Sequence, residues 1–107
     1  MVEIYGLKNC DTCRKALKAL PEARLIDVRA EGVSAALLAR ALDEFGEKLL
    51  NTRSTTWRGL AQEEREKDPM LLLESYPALM KRPLIKAGET LFLGWSAQTA
   101  EQVAAAS

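Results

Sequence analysis

The tightest constraint on how this chain folds is a double change of hydrophobic period within its first 28 residues. Val2-Glu3-Ile4-Tyr5 alternates apolar and polar side chains and stops at Gly6, the period of a short strand. After the loop Leu7-Lys8-Asn9, the apolar residues Cys13, Ala16, Leu17 and Leu20 recur at i, i+3, i+4 and i+7. That is one face of a helix beginning near Asp11 or Thr12 and stopped by Pro21. Leu25-Ile26-Asp27-Val28 then reads as a second strand. A strand, a helix and a strand in about thirty residues form a βαβ unit, which requires parallel strands and a right-handed crossover.

The middle of the chain reads as helical. Ser34 can cap a helix whose apolar stripe is Leu37, Leu38, Ala41, Leu42 and Phe45, with Gly46 past its end. Asn51 to Thr56 is polar and β-branched and reads as a loop. Glu63 to Lys67 reads as the solvated face of a helix. Asp68-Pro69 is a cap followed by a good first helical residue, predicting a helix through Leu73, and Pro77 ends that segment. Pro83-Leu84-Ile85-Lys86 and Thr90-Leu91-Phe92-Leu93 flank Ala87-Gly88-Glu89 as an antiparallel hairpin. Ser96 can cap a final short helix carrying Ala100 and Val103. The order β-α-β, helical insertion, β-β-α predicts an α/β fold built on a four-stranded mixed sheet with flanking helices. With 107 residues and no repeat or low-complexity linker, the expectation is a single domain, 1–107.

What the chain lacks excludes several chemistries. It has no histidine, so neither a Ser-His-Asp nor a Cys-His relay can be built, and no His-containing zinc site. Its two cysteines supply at most half of a four-thiolate site, and no metal is expected. Fifteen Lys and Arg balance fifteen Asp and Glu, so no overall field steers the molecule to nucleic acid or to an anionic membrane surface. The N-terminal residues lack the charged leader and apolar stretch of a signal peptide, and apolar runs such as Met70 to Leu73 are too short to span a bilayer. The expected location is the cytoplasm, where a close cysteine pair reads as redox or metal chemistry rather than a structural staple.

That pair is Cys10-Asp11-Thr12-Cys13, a C-x-x-C placed between a strand and the start of a helix. The thiolate is the reactive form of cysteine. Unpaired N–H groups and the positive end of the helix dipole stabilise it there. Arg14 and Lys15 follow and can add positive potential. Cys10, in a polar loop, reads as the accessible nucleophile. Cys13 is placed to resolve a mixed disulfide by bonding to Cys10, or equally to fill the core as a small apolar residue. Half a zinc site and two inert cysteines are the competing readings of the motif.

Elsewhere three arginines are candidates. Lys81-Arg82-Pro83 precedes the hairpin, and in a sheet of this order the start of the third strand lies near the first strand–helix turn. Arg82 could there favour a thiolate and hold an anion through its planar fork, or be an ordinary surface arginine. Arg53 and Arg58 lie in the polar stretch Asn51 to Arg58, which could take an anion or carboxylate. Trp57 and Trp95 read as packing residues.

At these residues the sequence resembles the arsenate reductase/Spx-like family, and in particular its small YffB-like branch. The resemblance rests on Tyr5-Gly6-Leu7-Lys8-Asn9-Cys10-Asp11-Thr12, on Leu50-Asn51-Thr52-Arg53 through Trp57-Arg58, on Lys81-Arg82-Pro83 and on Leu93-Gly94-Trp95-Ser96. It implies an ArsC-like, thioredoxin-like fold with a helical insertion. It also implies a thiol-dependent oxidoreductase with glutathione as co-substrate and no tightly bound cofactor. Cys10 would be the nucleophile, Arg82 the anion-binding arginine and Pro83 a cis proline facing the thiol. Cys10, Cys13 and Arg82 are thus the expected catalytic residues. Asn9, Arg14, Arg53, Arg58, Arg82 and Pro83 are the expected residues for a glutathione or small disulfide substrate. The chain departs from the arsenate reductases at Leu93-Gly94-Trp95, where they carry an Arg-Pro pair, and near Asn51, where they carry another arginine. Fewer charge-assisted donors argue against arsenate as substrate. Spx-type regulators share the cysteine pair, so the alternative implied is a redox-sensing regulator that binds the RNA polymerase α subunit.

Overall fold

A computed structural model describes residues 2–106. The opening pattern forms β1 (Val2–Gly6), α1 (Asp11–Ala19) and β2 (Arg24–Asp27), with β1 and β2 parallel and Gly6 in register with Asp27. The hairpin forms β3 (Leu84–Ala87) and β4 (Thr90–Leu93), turning through Gly88, whose φ of 59° suits glycine. β3 runs antiparallel to β1 with Ile4 opposite Ile85, giving a four-stranded mixed sheet in the order β2-β1-β3-β4. The last helix, α7 (Ala97–Ala106), carries Ala100 and Val103 as expected, and Thr99 N–H donates to the capping Ser96 Oγ at 3.1 Å.

Val2, Ile4 and Gly6 share one face of β1, because side chains alternate along a strand. Ile4 packs there with Ile85 and Ala87 of β3, Ala16 of α1 and Val103 of α7, all fully buried. Leu17 and Leu20, expected on the buried face of α1, are half-buried against this cluster. Gly6 continues the same face at its upper end, where a Cβ would collide with Cys13 Sγ. The absence of a side chain at Gly6 lets α1 bring Cys13 down onto the strand.

The chain divides into two compact units, one made of residues 2–31 and 82–106 and the other of 32–81. Within the second, Ser34 Oγ accepts Leu37 N–H to start α3 (Ala35–Phe45), whose Leu37, Leu38 and Ala41 are buried. Gly46, at φ 60°, ends it. The short helices α4 (Thr55–Arg58) and α5 (Gln62–Arg65) follow, and Asp68 then caps α6 (Pro69–Ser75). Asn51 N–H donates to Leu79 C=O at 2.8 Å and Lys81 N–H to Leu49 C=O at 2.7 Å, closing the insertion at its base.

Several local expectations shift. Val28 does not end β2 but opens a one-turn helix, α2 (Val28–Glu31), because Asp27 Oδ1 accepts the N–H groups of Arg29 and Ala30 at 2.9 and 3.2 Å. The loop expected for 51–56 gives way at Thr55 to α4, since Ser54 Oγ accepts Trp57 N–H at 3.1 Å and caps a turn. In the charged run 63–67, Glu63, Glu66 and Lys67 are exposed as expected, while Glu64 and Arg65 are half-buried and make specific contacts. Glu64 bonds Lys67 at 2.8 Å and the Tyr76 hydroxyl at 3.2 Å, and Arg65 lies 5.5 Å from the Trp57 ring. Arg65 also donates to the carbonyls of Trp57 and Arg58, which binds α4 to α5.

Candidate functional site

The site is assembled at the end of β1. Tyr5 faces Leu84 in the β1–β3 ladder, so the chain leaving β1 and the chain entering β3 lie side by side. The first leads through Leu7 and Asn9 to Cys10, and the second carries Arg82 and Pro83, whose connecting peptide is cis. Gly94 N–H donates to Pro83 C=O at 2.8 Å, extending the β3–β4 pairing to the proline.

Cys10 is the N-cap of α1. Its backbone is extended, its N–H donates to Leu7 C=O at 3.2 Å, and its C=O accepts Arg14 N–H at 2.9 Å. The residue is half-buried, while Cys13, one turn on, is fully buried, and both are free thiols. Burial is the largest single influence on the Cys10 thiol and opposes its ionisation. The N–H of Cys13, the thiol of Cys13, the N–H of Thr12 and the charge of Arg82 together outweigh it, and the Cys10 pKa lies below the ordinary thiol value. Cys13 goes the other way. Burial, its hydrogen bond to the Cys10 sulfur and the charge of that sulfur push it up to about 11, against a main-chain bond from Leu7 and the pull of Arg82. One thiol is thus prepared as an anion and the other as a proton donor to it.

Of the residues singled out from sequence, Cys10, Cys13 and Arg82 are brought into mutual electrostatic contact. Asn9 is exposed on the loop before Cys10. Arg14 spends its Nε on the Lys8 carbonyl at 2.9 Å and lies 4.0 Å from Asp11, so it braces the loop. Arg53 and Arg58 belong to the insertion, both exposed. Arg53 joins Lys48, Asn51, Thr52 and Lys81, with Glu47, around an open surface depression of about 620 Å³ in that unit. Gly6, Thr12 and Asp27 also shape the site and were not singled out from sequence. The signal for Gly6 is a glycine at a strand end seven residues before a buried helical cysteine. Among the described residues no group of three or more Cys, Asp or Glu could hold a metal ion, and no helix is long and apolar enough to cross a membrane.

A mixed sheet with this order, a C-x-x-C at the first helix and a cis proline opening the facing strand together define a protein of the thioredoxin-like class. Comparison with known proteins narrows the class. The chain belongs to the ArsC family, whose sequence profile matches residues 5–103. It is 37% identical over 105 residues to an uncharacterized protein of Haemophilus influenzae, covering 90% of this chain and 92% of that one. A solved YFFB protein superposes with a TM-score of 0.85 at 29% identity, over 99% of this chain and 98% of the other. An arsenate reductase (ArsC) related protein from Brucella melitensis gives a TM-score of 0.71 at 34% identity, over 94% and 92% of the two chains.

Proposed function

We propose that this protein is a thiol-disulfide oxidoreductase of the reducing cytoplasm, with glutathione as its co-substrate. The observation that carries this reading is the opposed pair of thiols at the head of α1: Cys10 favoured as thiolate, Cys13 held protonated beneath it.

The Cys10 thiolate attacks one sulfur of a disulfide substrate, forming a mixed disulfide and releasing the other half as a thiolate. In a second step either a glutathione thiolate attacks the substrate-derived sulfur of the mixed disulfide and expels Cys10 as thiolate, or Cys13 attacks the Cys10 sulfur and expels the remaining half. By the Cys13 route the proton of Cys13 passes to a leaving thiolate, the substrate gains two electrons, and the protein is left with a Cys10–Cys13 disulfide for an external thiol to reduce. Two of the three influences that hold Cys13 protonated come from the Cys10 sulfur itself. Once Cys10 is in a mixed disulfide those two are gone while burial, the largest of the three, and the pull of Arg82 remain, so Cys13 ionises more readily after the first step than before it. Arg82 steadies the thiolate and offers its fork to a substrate carboxylate. Asn9, beside Cys10, joins Arg82 and Pro83 in the proposed substrate-binding set.

The test is a pH titration of the Cys10 alkylation rate in reduced protein, with Cys13→Ser alongside. A midpoint clearly below about 8.5 is expected. A midpoint at the ordinary thiol value overturns the reading. Cys10→Ser should abolish turnover of glutathione mixed disulfides. Turnover surviving in Cys13→Ser would assign the second step to glutathione.

The same pair favours a second reading, a redox switch that binds the RNA polymerase α subunit in one oxidation state. Equal capture of that subunit by oxidised and reduced protein would exclude it.

A further inference from the structure

The loop that carries Cys10 is tied to two other elements through both main-chain polar groups of one residue, Lys8. Lys8 N–H donates to Asp27 Oδ2 at 3.4 Å, and the carbonyl of Lys8 accepts Arg14 Nε at 2.9 Å. The two partners come from different elements: Asp27 is the last residue of β2, in register with Gly6 at the end of β1, and Arg14 lies in the first turn of α1. Lys8 itself is exposed and belongs to a turn, where a backbone has few other restraints.

We propose that Asp27 and Arg14 are positioning residues that clamp the main chain on both sides of Lys8 and so hold Cys10 at the cap of α1, where its sulfur meets the N–H groups of Thr12 and Cys13. The inference rests on the thiolate reading of Cys10 given above.

Asp27 suits this task because it must accept at both oxygens. Oδ1 takes the N–H groups of Arg29 and Ala30, and Oδ2 takes Lys8. An asparagine has one accepting oxygen and must give up one of the two sets. The carboxylate is held ionised, since the bonds from Lys8, Ala30 and Arg29 outweigh the desolvation that opposes ionisation. The clamp therefore persists throughout the pH range in which Cys10 titrates.

The test is Asp27→Asn, followed by the pH dependence of Cys10 alkylation. Charge and position make opposite demands on this variant. Removing a negative charge near a thiol lowers its pKa, whereas loss of the N–H contacts at the helix cap raises it. The clamp predicts an upward move of the midpoint by about half a unit or more, with a several-fold slower reaction below it. A midpoint unchanged or lowered in folded variant overturns the clamp. Amide hydrogen exchange in the unaltered protein tests it without a substitution: exchange at Lys8 should be slower than at Asn9, and equal, unprotected rates overturn it. The two proposals fail separately. An ordinary midpoint in the unaltered protein removes the thiolate reading, whereas a lowered midpoint that Asp27→Asn leaves in place removes only the clamp.

Discussion

Cys10 and Cys13 are one helical turn apart, yet their ionisation is driven in opposite directions. The difference lies in what surrounds each sulfur. Cys10 caps the helix and receives its N–H groups, while Cys13 faces the bare backbone of Gly6 in a fully buried position. The linkage to stability follows in sign. Above a pH of about 9 an unfolded Cys13 would ionise while the folded one, held near 11, stays protonated, so the unfolded state binds fewer protons. Folding stability contributed by Cys13 is therefore full below that pH and declines as pH rises towards 11. Urea unfolding across this range should show the decline, and Cys13→Ala should flatten it relative to the unaltered protein. Equal slopes in the two would mean that the buried thiol is not held protonated. The depressed Cys10 value acts oppositely, adding stability as pH rises through it towards the ordinary thiol value.

At the scale of elements, caps decide where helices begin, and they also account for what sequence periodicity misplaces. Ser34 and Asp68 sit before long or proline-led apolar patterns and were readable. Ser54 precedes only Thr55-Thr56-Trp57-Arg58, too short a segment for any period to emerge, and its cap is evident only once folded. Its hydroxyl both accepts Trp57 N–H at 3.1 Å and donates to Asn51 C=O at 2.7 Å. Ser54→Ala removes both bonds and should cost about 1 kcal/mol, typical of a lost cap, measured as a lower urea midpoint with unchanged slope. Val28 shows the same limit. Its apolar character continues the pattern of β2, but the side chain of Asp27 takes the following N–H groups and turns the chain into a helix.

Over the whole molecule the charges cancel, yet the site does not behave as neutral. Arg82 lowers the pKa of both thiols although the net charge is zero, so any attraction for an anionic disulfide is local. A local pair is screened over a Debye length of about 10 Å at 0.1 M salt. The KM for glutathione disulfide should therefore rise with added salt while kcat changes little. A KM independent of salt would argue against recognition by charge.

The order of strands and helices was legible because each period depends on neighbours only a few residues away, and the βαβ opening fixed parallel pairing by chain geometry. The C-x-x-C at a helix start was legible for the same reason, since both spacing and cap are local. What only the tertiary structure decided depends on residues distant in sequence. The β1–β3 register sets Arg82 beside Cys10, the missing side chain of Gly6 admits Cys13, and Asp27, 19 residues from Lys8, reaches its N–H. Local pattern settles which way a chain turns, but the ionisation of a thiol answers to every dipole and charge that the fold brings within a few ångströms of it.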